Sequence, residues 1–228
     1  EGILDRNKRA GSNEWGVAGE HTTSGLPLIA NDPHLQLGAP STFYPIGLEA
    51  GNILVMGSTF PGVPFVVQGY NRSVSWGTTN NGIDVTDTFQ EKVVLDPQSP
   101  SNLSTIYLGA KEPIVPVPEK FRANTVGDHV LDDLVDIPPG GPIPAATLIV
   151  PRRDNGPIIA LDVSAGTALS VQYTGFSPTR ELDCFYLLDR ATGLDDFTAA
   201  LQYFDFGSQN FIYADVKGNL AYFTSVIS

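Results

Sequence analysis

Between Trp15 and Thr79 the chain is a succession of short apolar runs, at 25–30, 43–48, 53–56, 65–67 and 73–76, each cut off by turn residues. Runs of this length, rich in β-branched and aromatic residues, suit half-buried strands and are too short to cover a helix face. With 23 glycines and 18 prolines, turns must interrupt the pattern throughout. Residues 85–95 continue the sheet with their charges on one face, and further strands are expected at 105–108, 113–117, 146–150, 158–163 and 169–173.

Helical signals come late. Ser177-Pro178-Thr179-Arg180-Glu181 reads as a capped start before Leu182, Phe185, Tyr186 and Leu188. A second helix is expected over 194–204, with Phe197, Ala200, Leu201 and Phe204 on one apolar face. Residues 209–223 then read as a hairpin turning at Lys217-Gly218-Asn219. Many strands with a few helices imply a layered α+β domain. The stretch 96–142, rich in Pro, Ser, Gly and Asp, reads as a loop-rich excursion from the core sheet.

The formal net charge of −12 repels phosphate backbones and anionic headgroups, so neither nucleic acid nor membrane is an expected partner. No apolar run approaches the roughly 20 residues that span a bilayer. The single cysteine, Cys184, cannot form an internal disulfide and reads as a small buried hydrophobe. The sequence opens without an initial methionine or a signal peptide and stops inside a strand-like run. It is read as a segment truncated at both ends. H-E-x-x-H, paired C-x-x-C, P-loop and G-x-S-x-G motifs are missing, and His21, His34 and His129 lack metal-ligand spacing.

What remains is Gly11-Ser12-Asn13-Glu14-Trp15, following a charged, linker-like stretch. Together with Gly25-Leu26-Pro27-Leu28-Ile29-Ala30-Asn31-Asp32-Pro33-His34-Leu35, it resembles the start of the catalytic chain in the penicillin acylase family of N-terminal-nucleophile hydrolases. Gly57-Ser58-Thr59-Phe60-Pro61-Gly62-Val63-Pro64 is similar to that family's Gly-rich turn. Gly69-Tyr70-Asn71-Arg72-Ser73-Val74-Ser75-Trp76-Gly77-Thr78-Thr79-Asn80 is similar to its segment bearing an oxyanion-hole amide. Asn155-Gly156-Pro157 and the run from Gln209 to Tyr222 resemble two later family segments, so the anchors extend from residue 11 to 222 in order.

The resemblance implies a partial αββα sandwich: residues 1–11 end a spacer and residues 12–228 begin the catalytic β-chain domain. It implies hydrolysis of a linear amide, of the penicillin or acyl-homoserine lactone kind, by a zymogen that cuts its own Gly11–Ser12 bond. The freed α-amine, with an ordinary pKa of about 8, would take the Ser12 hydroxyl proton as Oγ attacks the amide carbonyl and an acyl-enzyme forms. His34, 22 positions after Ser12, occupies the place that lies beside this amine in the family, although a loop histidine satisfied by backbone fits the residues too. The Asn80 N–H would be one oxyanion donor; without the resemblance, Asn80-Asn81-Gly82 is a tight turn.

By the resemblance Leu35 and Gln68 align with acyl-pocket positions, although a core or surface role fits either residue equally, and Asp84, Thr86 and Asp87 fall in a loop that binds calcium in several members. Taken alone, those aspartates read equally as solvated turn residues. No cofactor is required, and calcium would be structural. The second oxyanion donor belongs to a segment beyond residue 228, so the chain as given is expected to stay uncut and inactive. Its partners would be a small-molecule amide, the α chain and the rest of the β chain. Its location would be periplasmic or extracellular. Two other readings compete: a non-catalytic, β-rich, calcium-dependent binding module, and a conventional hydrolase using Ser12, His34 and an aspartate without chain cleavage.

Overall fold

The computed structural model describes residues 11–124, 127–130, 134–137, 146–153, 156–205, 207 and 209–224. Of the expected features, the spacer up to Ala10, the end of the loop-rich 96–142 stretch from 138 onward, and Asn155 lie outside the described residues. The chain divides into two compact units, one made from residues up to 83 and from 178 onward, the other from 84–177.

The first unit opens with β1 (Gly11–Val17) and β2 (Leu28–His34), followed by β3 (Tyr44–Ala50), β4 (Ile53–Thr59), β5 (Gln68–Asn71) and β6 (Val74–Asn80). The second unit contains β7 (Thr86–Leu95), β8 (Leu103–Tyr107), β9 (Ala110–Pro113), β10 (Val115–Pro118), β11 (Arg122–Ala123), β12 (Val135–Asp136), β13 (Ala146–Val150), β14 (Gly156–Asp162) and β15 (Thr167–Tyr173). The chain then returns to the first unit with α1 (Glu181–Arg190), α2 (Leu194–Leu201), β16 (Gln209–Asp215) and β17 (Leu220–Thr224). Among the described residues, two helices against many strands give the α+β class that the sequence implies. Among the described residues no helix is long and apolar enough to cross a membrane.

In the first unit an antiparallel sheet runs in the order β17-β16-β6-β5-β4-β3. Strand alternation sends Val55, Val74, Trp76, Phe211 and Tyr213 to one face, where they pack with Cys184, Leu188, Phe197, Ala200 and Phe204 from α1, α2 and the segment after them. Cys184 is fully buried and its thiol is pushed up to about 12, chiefly by that burial, which makes it an inert core residue. The other face carries the β1–β2 hairpin. Asn31 of β2 docks it: its Nδ2 donates to the Thr78 carbonyl at 3.0 Å, and its Oδ1 accepts from the Thr78 N–H at 3.2 Å. Gly77 makes room, since a Cβ there would sit 2.7 Å from Asn31 Cβ.

Three local expectations shift, each because a tertiary contact takes a backbone group. Strand 65–67 does not form: the Val66 N–H donates to Asp189, the Val67 N–H donates to Ser58 O, and Val67 O accepts from the Trp76 indole. The run 113–117 is split at Ile114, whose side chain is fully buried and whose N–H donates to Leu103 O. The first helix starts after Arg180 and has no side-chain cap. There the Arg180 side chain and N–H both engage the Asp205 carboxylate.

The end of α1 is fastened to the sheet by Asn71, whose Nδ2 donates to the carbonyls of Asp189 and Ala191. Asp189 is buried; its Oδ2 accepts from Val66, and its Oδ1 has no partner among the described residues. Burial pushes this carboxyl up to about 7, against the smaller opposing pull of the Val66 N–H. The folded chain therefore holds a proton on Asp189 between about pH 4 and 7 that the unfolded chain releases, and stability falls as pH rises through that window. Asp189→Asn is expected to flatten the decline, gaining on the order of 3 kcal/mol at pH 8 relative to pH 4. Denaturant melts of both proteins at pH 4, 6 and 8 check this, and parallel pH dependences would contradict it.

The second unit spans 84–177 and includes the 96–142 stretch. It has its own antiparallel sheet, ordered β10-β13-β14-β15-β7-β8-β9, over a small apolar cluster of Val93, Leu103, Ile114 and Ala168. A buried ionic network supplements that cluster. Glu91 pairs with Arg152 and Arg153, Arg152 also with Glu112, and the two guanidinium groups stack on Tyr107 and Phe89. Pairing and hydrogen bonding are what make a buried charge such as Glu91 tolerable.

Candidate active site

Ser12 sits near the start of β1, opposite Pro33 of β2, in a register that also pairs Gly11 with His34 and Glu14 with Asn31. Side chains alternate along a strand, and paired residues share a face. Ser12, Glu14, Asn31 and Pro33 therefore face the six-stranded sheet, while Asn13, Asp32 and His34 face away. Asn31 also donates to Asn13 O at 3.1 Å. One side chain thus ties the backbone beside Ser12 to β6, the strand that ends at Asn80.

Ser12 and Asn80 line the same cavity, of about 530 Å³, together with Leu35, Gln68, Phe185 and Phe204. A cavity of this size with mostly apolar walls and a few convergent polar groups is the usual form of a small-molecule site. The side chain of Asn80 is held by Gln209, whose Nε2 donates to Oδ1 at 3.0 Å. Gln68 is also engaged within the wall: its Nε2 donates to Ser58 Oγ at 3.0 Å, and its Oε1 accepts from Thr78 Oγ1 at 3.3 Å. With its amide so occupied, Gln68 is one fixed polar patch in a largely apolar wall.

His34 is placed differently. Its Nε2 lies 2.9 Å from Asn13 Oδ1 and 3.7 Å from Asp32 Oδ2, on the face of the hairpin opposite the Ser12 side chain. That arrangement counts against a conventional Ser-His-Asp relay, which needs the imidazole on the serine hydroxyl. Asp84, Thr86 and Asp87 belong to the second unit. They are exposed, and Asp84 Oδ1 accepts from the Thr86 N–H at 3.2 Å. Among the described residues no three His, Cys, Asp or Glu side chains are gathered as a metal-binding group.

Several lining residues carry no motif in the sequence. Phe43, Phe60, Phe185 and Phe204 come from four separate segments and meet only through the fold. Glu14 is not part of this lining, but period-two alternation puts it on the same face of β1 as Ser12.

The penicillin amidase family profile matches residues 2–226. The acyl-homoserine lactone acylase QuiP of Pseudomonas fluorescens is 26% identical over 209 residues, covering 90% of this chain and 23% of that protein. The penicillin acylase 2 proenzyme of Pseudomonas sp. strain SE83 is 26% identical over 215 residues, covering 93% of this chain and 25% of that protein. This chain therefore spans about a quarter of the length of these relatives. In fold it is similar to a thermostable penicillin G acylase from Alcaligenes faecalis, with a TM-score of 0.72 and 22% identity over 93% of this chain and 35% of that one. With the profile matching nearly its whole length, and a strand-rich fold like that of a solved acylase, the chain belongs to the penicillin amidase family.

Proposed function

We propose that this chain carries the nucleophile of an amide hydrolase, and that Ser12 acts after cleavage of the Gly11–Ser12 bond makes it an N-terminus. The observation that carries this reading is the shared cavity: Ser12, Asn80, Leu35 and Gln68 meet around one apolar space. In it, Ser12 Oγ would attack the carbonyl of a linear amide, and the freed α-amine would accept the hydroxyl proton, with no histidine needed on the serine. The Asn80 N–H would stabilise the oxyanion, and the acyl group would lie against Leu35, Phe185 and Phe204. A predominantly apolar wall suits an acyl chain or an arylacyl group, in keeping with the penicillin and acyl-homoserine lactone acylases among its relatives.

Asp84, Asp87 and the Thr86 carbonyl would be this chain's share of a structural calcium site, completed by oxygens from elsewhere in the protein. With only one oxyanion donor of its own, the chain by itself is expected to remain uncut and inactive, and to need the α chain and the rest of the β chain. A periplasmic or extracellular location fits the family. The intact mass of the full-length protein tests the central claim. The expected result is two chains parted between Gly11 and Ser12; a single uncut chain, or a cut elsewhere, overturns it.

A further inference from the structure

Glu14 shares a face of β1 with Ser12 and points between the hairpin and the six-stranded sheet. Both carboxylate oxygens are shielded from solvent, and among the described residues neither makes a hydrogen bond of good geometry. The Thr79 hydroxyl and the Ile212 N–H come near enough to favour its charge, but burial outweighs them and raises the carboxyl above the ordinary glutamate range. A buried carboxylate left without a cation is costly, and native structures keep few of them.

Among the described residues, the strands packed around Glu14 offer no cation. β1, β2, β6, β16 and β17 contain neither lysine nor arginine. The residues facing Glu14 are Asn31 and Pro33 of β2, Thr79 of β6, and Asn210 and Ile212 of β16, none of them titratable. On the same face of β17 the one titratable side chain among the described residues is Tyr222, which is 61% exposed. Asp32 and His34 face the other way, as does Asp215, whose Oδ2 accepts from the Tyr213 hydroxyl on the helix-covered side of the sheet.

Cleavage at Gly11–Ser12 would create the missing cation. Two residues along a strand span roughly 7 Å, a gap that a glutamate side chain can largely close. We propose that Glu14 is the counter-charge of the α-amine freed on Ser12, a positioning residue that holds the ammonium and sets the pH at which it becomes a base. The proposal rests on the reading of Ser12 as a nucleophile exposed by cleavage. An ionised Glu14 stabilises the ammonium, raises its pKa and so moves the onset of activity to higher pH. Because the Glu14 carboxylate oxygens are shielded from solvent, the attraction is stronger than at a surface.

The test compares the full-length protein with its Glu14→Gln variant. Intact mass comes first: a wild-type chain uncut at Gly11–Ser12 overturns the nucleophile reading and the counter-charge with it. Given the cut, kcat/KM for an acyl 4-nitroanilide is followed against pH. In the variant the acid limb is expected to move down by about one pH unit, while the plateau rate stays within a few-fold. An acid limb that does not move overturns the role of Glu14 and leaves the nucleophile reading standing. If the variant fails to fold or to mature, the Ser12 amine of the processed wild type is titrated by competitive acetylation. A pKa above about 8 is expected, and one at or below the ordinary α-amino value of about 7.7 overturns the proposal.

Discussion

Full-length protein carrying Ser12→Ala is expected to stay as one chain and to lose amide hydrolysis by roughly 10⁴-fold or more, as loss of a covalent nucleophile does elsewhere. Two losses coincide because one hydroxyl is assigned two jobs. Before maturation Oγ would attack the Gly11 carbonyl; afterwards it would attack the substrate carbonyl. The substitution removes no buried apolar surface and leaves the β1–β2 register intact, so the melting temperature is expected to stay within about 2 °C of wild type. Mass spectrometry, a hydrolysis assay and a thermal melt on one preparation separate the outcomes. A variant that is still cut at Gly11–Ser12, or that still turns over an amide, would remove Ser12 from the chemistry. A conventional serine hydrolase would instead react with a fluorophosphonate as an uncut chain, an outcome that the orientation of His34 disfavours.

Phe197→Ala is expected to cost about 3–5 kcal/mol, the largest stability loss of any substitution considered. Phe197 is fully buried at the centre of the helix–sheet interface. Its ring lies 4.7 Å from that of Tyr213, 5.7 Å from Phe223, and 6.4 Å from both Trp76 and Phe211. Truncation leaves a void among large aromatic side chains whose backbones are fixed in strands, so the site cannot collapse around it. The melting temperature should fall by on the order of 10 °C. Leu182, on the exposed side of α1 and 52% accessible, is the control, with Leu182→Ala changing stability by about 0.5 kcal/mol or less. A loss below about 1 kcal/mol at Phe197 would mean that α2 contributes little to the core.

Much of this architecture is legible in the residues because its determinants are local. Alternation and turn chemistry locate most strands, and the 209–223 hairpin needs only the Asp215 carboxylate capping the Lys217 and Asn219 amides, with Gly218 at φ 94°. The failures have one physical origin. At Val66, Ile114 and Arg180 a backbone or side-chain group is claimed by a partner distant in sequence, and no local pattern encodes that partner. The sheet of the second unit likewise depends on distant partners, since it joins β7 to β15, whose nearest paired residues, Lys92 and Thr167, are 75 positions apart.

For Ser12 the division of information is sharp. The sequence, through its resemblance to the family, marked the residue, its preceding glycine and the order of segments around it, because those depend on residue identity along the chain. The same resemblance marked Asn80, Leu35 and Gln68 as companions. Only the tertiary structure decided which of the marked residues meet. Pleating turned His34 to the far face with Asn13, and the Asn31 clamp set the hairpin against β6. Aromatic side chains from four separate segments closed the cavity wall, and alternation along β1 put Glu14 on the same face as Ser12. Those outcomes depend on strand register and sheet packing, which join residues far apart in the chain.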